Sequence, residues 1–138
     1  MCSSDLLGAV IRATGLGDFL GATLARHPMG LLLPFLIAAT IKTAQGSSTV
    51  AIVTTAGILA PLLPGLGWTG PTARALAVLA VGAGSMVVSH ANDSYFWVVG
   101  QFSGMDVGTT WRTHTVASLV SGLTALAALC GLWAWMGP

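Results

Sequence analysis

Charge is what this sequence most lacks. It contains no glutamate, and its four aspartates and five lysines and arginines amount to 7% of 138 residues, where a soluble domain carries about 25%. With 54% of the residues hydrophobic, the composition is that of a membrane protein. No basic or acidic run exists that could serve a nucleic-acid surface or a solvating tail, which excludes nucleic acid as a partner. Cysteine is equally scarce: Cys2 lies in a polar leader and Cys130 in an apolar run, giving neither a disulfide framework nor a ligand spacing. There is no glycine-rich phosphate loop, no paired Cys/His metal spacing and no serine-nucleophile elbow, and the scattered aspartates form no catalytic pair. The chain is therefore not expected to be an enzyme or to hold a cofactor or metal. The leader "MCSSDL" has no basic region, no long apolar core and no processing site, so it does not read as a secretory signal.

What is present is a series of apolar segments punctuated by short polar ones. Over 6–26, Leu16, Phe19, Leu20 and Leu24 recur at helical spacing while Arg12, Asp18 and Arg26 interrupt the run, which predicts an amphipathic, peripheral helix. His27 and Pro28 mark the start of the next element, 28–63. It consists of two apolar arms, "MGLLLPFLIAATI" and "AIVTTAGILAPLL", around "KTAQGSSTV". Each arm falls short of the ~20 residues a helix needs to cross the hydrocarbon core. Two readings are open: the arms borrow flanking residues and cross fully, or they are half-helices of a re-entrant hairpin whose polar tip is buried in protein. The stretch 63–74, "LPGLGWTGPTAR", reads as a loop with Trp68 as an interface anchor. Residues 75–89 predict an apolar helix in which Gly82 and Gly84 permit close packing. It is interrupted by "HANDS" and resumes at 95–105, so that 75–105 reads as one discontinuous membrane helix. "DVGTTWRTH" reads as a polar loop carrying solvated Arg112 and His114. The uncharged run 115–136 is the clearest transmembrane helix, with Ser118 and Gly122 as a small-residue packing pair and Trp133 and Trp135 suited to the interface.

The two polar interruptions are the places where chemistry can reside. Gln45 and Gly46 end the first arm, and Ser47, Ser48 and Thr49 open the second as capping residues do. The free N–H groups and dipole of that second arm suit an anion. Lys42, nearly one turn earlier, can offset a carboxylate or an aspartate. In the second interruption Asn92, Asp93 and Ser94 can cap the following half-helix, and His90 lies three residues from Asp93. A charge at the middle of a membrane helix costs about 3 kcal/mol on insertion scales, so Asp93 calls for a reason, and a proton relay is one. The plainer alternative leaves these serines and threonines bonding helices together, His90 packing and Lys42 snorkelling to an interface.

"KTAQGSSTVAIVTTAGILAPLL", then "GAGSMVVSHANDSYFWVVGQFSGM", then "TWRTHTV" closely resemble the C-terminal part of the gluconate permease (GntP-type) family of proton symporters, from about Leu7 to Met136. The resemblance implies an all-α integral membrane protein of the bacterial inner membrane, multi-pass. It would be built like one inverted repeat of the wider ion-transporter superfamily, with a re-entrant hairpin over 28–63, a broken helix over 75–105 and a transmembrane helix over 115–136. It implies uptake of gluconate or a related small hydroxylated carboxylate by proton symport. Gln45, Ser47, Ser48, Thr49, Asn92 and Ser94 would bind substrate, Asp93 would carry the proton with His90 as helper, and Lys42 would be a charge partner. Members of that family are several times longer than this chain, so the expected partners, besides substrate, protons and the lipid bilayer, include an N-terminal repeat of the same transporter, with a homo-oligomer left open. The rival expectation is a small, non-transporting membrane subunit or scaffold.

Overall fold

The computed structural model describes residues 29–136, and the helix expected over 6–26 lies outside them. All the regular structure among the described residues is helical. Helix α1 (Leu32–Gln45) stops at Gly46, which adopts the left-handed conformation (φ 77°) and returns its N–H to the Lys42 carbonyl at 2.7 Å. Glycine takes this conformation without the penalty a Cβ would bring. Ser47 then starts α2 (Ser48–Leu59), its Oγ accepting the Val50 N–H at 3.3 Å. The two helices pack side by side across this two-residue link. At 14 and 12 residues they are roughly 21 and 18 Å long, against the ~30 Å of a hydrocarbon core.

Helix α3 (Pro71–Ser85) begins earlier than the expected loop allowed. Pro71 occupies the first helical position, where its missing N–H costs nothing and its fixed φ fits. Trp68 likewise is no outward anchor: it is buried and packs against Trp133, ring centroids 5.4 Å apart. The break expected between residues 89 and 95 is longer, from Met86 to Asp93, and α4 (Ser94–Phe102) resumes beyond it. The segment expected as a polar loop is helical. Helix α5 (Val107–Thr110), a π-helical turn (Trp111–Thr115) and α6 (Val116–Met136) run on as one helix of 30 residues, the one among the described residues long and apolar enough to cross a membrane. Asp106 caps its start, with Oδ1 accepting the Thr109 N–H at 2.6 Å. Arg112 is exposed on it, whereas His114 packs edge-on to Tyr95 and its Nε2 is buried without a partner.

Helix α3 is the hub, touching α1, α2 and α6 through a face of small residues. A Cβ at Gly84 would strike the Phe35 carbonyl of α1, and one at Gly122 would strike Val87. Those collisions mark where the backbones approach most closely. Gly82, by contrast, faces open space. One core cluster gathers Leu31, Phe35, Trp68, Leu76, Ala80 and Leu129, and a second gathers Ala38, Leu59, Leu62 and Val81. Val53, Val78, Leu79, Val120 and Phe102 point outward. Such an apolar exterior is the kind that lipid or further protein covers.

Candidate functional site

Lys42 lies in the last turn of α1, yet only 2% of it is exposed. An ammonium removed from water needs a counter-charge and hydrogen-bond acceptors. Asp93 provides the first, its Oδ2 lying 2.6 Å from Lys42 Nζ, and the Gly46 carbonyl accepts a second bond at 2.8 Å. The same Oδ2 accepts from Ser89 Oγ at 2.5 Å, while Oδ1 accepts the Tyr95 N–H at 3.0 Å. One carboxylate thus caps α4 and closes an ion pair with the first break. Lys42 does not snorkel to the surface.

The breaks also touch through their backbones. Asn92 Nδ2 donates to the Thr43 carbonyl at 2.8 Å, and Gly46 is pressed so closely on the Asn92 carbonyl that any Cβ there would collide with it. A cavity of about 390 Å³ opens beside this contact, of a size that suits a small organic molecule. Gln45, Gly46, Ser47 and Ser48 line it from one side, and Asn92, Asp93, Ser94, Tyr95 and Val98 from the other. Of the residues singled out in the sequence, Gln45, Ser47, Ser48, Asn92, Asp93 and Ser94 line this one cavity. Thr49 is exposed on α2 and outside the cavity wall. The His90 ring lies flat on Trp111, centroids 5.8 Å apart and planes 7° from parallel, and makes no hydrogen bond to the Asp93 carboxylate. Its backbone carbonyl is what accepts the Asp93 N–H, at 2.7 Å.

Two contributors escaped the sequence reading. Ser89 stands four residues before Asp93, inside the same break. Tyr95 gives its backbone N–H to Asp93 Oδ1 and lines the cavity next to Ser94.

Short apolar helices, broken at two points whose polar residues meet around a buried ion pair and a cavity, fit a membrane permease. A family model described as "GntP family permease" matches residues 3–136, and the chain belongs to that family. It is similar to the gluconate permease of Pseudomonas aeruginosa, 41% identical over 118 residues that make up 83% of this chain and 25% of the relative. The low-affinity gluconate transporter of Escherichia coli K12 is 34% identical over 127 residues, 91% of this chain and 28% of its own length. The inner membrane permease YgbN of the same organism is 33% identical over 153 residues, 96% of this chain and 33% of its own. The chain thus spans about a quarter to a third of the length of these curated relatives. No solved structure matches it.

Proposed function

We propose that this chain is the C-terminal part of a secondary transporter of the bacterial inner membrane that takes up gluconate, or a related small hydroxylated carboxylate, by proton symport. The observation that carries this reading is the meeting of two helix breaks at a cavity whose one carboxylate, Asp93, is paired with a buried Lys42. The relatives' names, gluconate permease and inner membrane permease, support the same substrate and membrane. In this reading α1 and α2 are the arms of a re-entrant hairpin, and α3 and α4 are the halves of a broken helix, together resembling one inverted repeat. A second repeat completes the site.

The ion pair supplies a coupling logic. While Asp93 is ionised it neutralises Lys42, and the site has no net charge to offer an anion. A proton taken up by Asp93 cancels its charge, leaves Lys42 as an uncompensated cation beside the cavity and so favours entry of a substrate carboxylate. Proton and anion then bind together or not at all, and the pair re-forms when both leave. Gln45, Ser47, Ser48, Asn92 and Ser94 provide donors and acceptors for the carboxylate and hydroxyls of the substrate. His90 braces the second break against Trp111.

The test is a chimera in which residues 29–136 replace the matching segment of the Pseudomonas aeruginosa gluconate permease, expressed in cells without gluconate uptake. Accumulation of labelled gluconate, driven by an imposed pH gradient, is expected. Asp93→Asn keeps size and capping ability but cannot titrate, so it should abolish accumulation while gluconate exchange partly survives; His90→Gln should accumulate as the parent does. Parental accumulation in Asp93→Asn would remove the proton-carrier role. A folded but inert chimera would favour breaks that only join helices.

A further inference from the structure

We propose that Thr115 and Ser118 of the long C-terminal helix are positioning residues for Asp93, acting through Ser89. The inference rests on the reading of Asp93 as the coupling carboxylate for its meaning in transport, though not for its test. Ser89 is buried in the middle of the break between α3 and α4, where no helix satisfies its backbone. A buried N–H and C=O must find partners elsewhere, and both find them on the long helix. Thr115 Oγ1 donates to the Ser89 carbonyl at 2.6 Å, and Ser118 Oγ accepts the Ser89 N–H at 3.0 Å. Ser118 donates its own proton to the Thr115 carbonyl at 2.9 Å, which leaves its lone pair turned to Ser89. Gripped at both backbone groups, Ser89 aims its hydroxyl at Asp93 Oδ2, 2.5 Å away.

A second observation marks the grip as more than incidental. Val88, the residue before Ser89, has φ 51°. A β-branched side chain is strained in this left-handed region, and such a conformation persists only where its surroundings hold it. The hold comes from Thr115 and Ser118 on one side and from Trp111, stacked on His90, on the other. Trp111 and Thr115 bound the π-helical turn of the long helix, a distortion often found at functional sites. An unbroken path of short contacts therefore runs from the long helix through Ser89 and Asp93 to Lys42 and Gly46 on the opposite break.

The test uses the full chain in lipid vesicles and dicyclohexylcarbodiimide, a membrane-permeant reagent that modifies protonated carboxyls, with each aspartate resolved by mass spectrometry. Losing the Ser89 hydrogen bond to the charged Asp93 should favour the protonated form about tenfold, so Ser89→Ala is expected to raise Asp93 modification by about that factor, and Thr115→Val and Ser118→Ala, which release Ser89, to raise it by up to that factor. Asp106 modification should not change, which separates the effect from unfolding. Thr115→Ser restores the donor and should react as the parent, a rescue that reads the hydroxyl even where Thr115→Val folds poorly. If the grip acts through Ser89, Thr115→Val should add nothing in a Ser89→Ala background. Parental Asp93 modification in the Thr115→Val, Ser118→Ala double variant, or a further increase when Thr115→Val is added to Ser89→Ala, would overturn the proposal. Gluconate uptake plays no part in this readout, so its outcome and that of the transport reading are independent.

Discussion

Lys42 and Asp93 stand 51 positions apart, yet each makes the other tolerable in an apolar interior. Removing one partner strands a buried charge, whereas removing both restores neutrality. Lys42→Met is therefore expected to lower stability by an amount towards the lower end of the ~3–5 kcal/mol typical of broken buried pairs, because the cavity wets Asp93. Lys42→Met combined with Asp93→Asn should recover most of the loss. Thermal unfolding of the four proteins in one detergent closes the cycle, and additive losses would mean that the two residues do not interact. Asp93 was legible in the sequence because a lone carboxylate among apolar residues is anomalous wherever it points. Its partner was less so: Lys42 could equally have reached an interface, and only the packing of α1 against α3 turns it inward.

Whole elements were legible where a single local rule governs them. Ser47 and Asp93 cap the helices that follow them because their short polar side chains reach back to free N–H groups, and both were readable from position. Asp106 does the same for the long helix, and the Thr109 N–H holds its carboxyl below the usual carboxylate range. A depressed folded-state value means the cap is complete above the unfolded-state value and is lost as pH falls through the folded one. Protection of the Thr109 N–H, relative to its intrinsic exchange rate at each pH, should fall on acidification in that window and lose this pH dependence in Asp106→Asn. Helix–helix contacts show the opposite case. Gly122, expected with Ser118 as a packing point, is one, since a Cβ there would meet Val87, whereas at Gly131 it would meet open space; the sequence did not say which neighbour Gly122 meets. Gly122→Val should loosen the packing of α6 on α3 and lower the unfolding temperature, with Gly131→Ala as a neutral control. Equal effects would remove Gly122 from the contact. The segment 106–114 misled because polar residues and a glycine suggest a loop, while a capped start and continuation into an apolar helix carry the backbone straight through them.

For the molecule as a whole, side-by-side packing of α1 and α2 places the start of the first and the end of the second at the same end of the pair. If that pair is a re-entrant hairpin, cysteines introduced at Met29 and Gly70, in a background with Cys2 and Cys130 replaced by serine, should react with an impermeant thiol reagent from the same side of the membrane. Ser47→Cys should stay unreactive from the opposite side. Free reaction there would mean two complete spans. The sequence alone determined the membrane class, since charge and hydropathy are sums over residues that need no geometry. It likewise placed the first break at 45–49 and the restart of the second helix near Ser94, since capping acts within one turn, but it set the beginning of the second break too late, at His90 instead of Met86. What only the tertiary structure decided is which polar groups meet: that Lys42 pairs with Asp93, that His90 lies on Trp111, that Thr49 is outside the cavity, and that Ser89 is gripped from a helix 26 positions away. Those contacts depend on how closely backbones approach at Gly46, Gly84 and Gly122, and close approach is a property of two surfaces together, which no local stretch of sequence encodes.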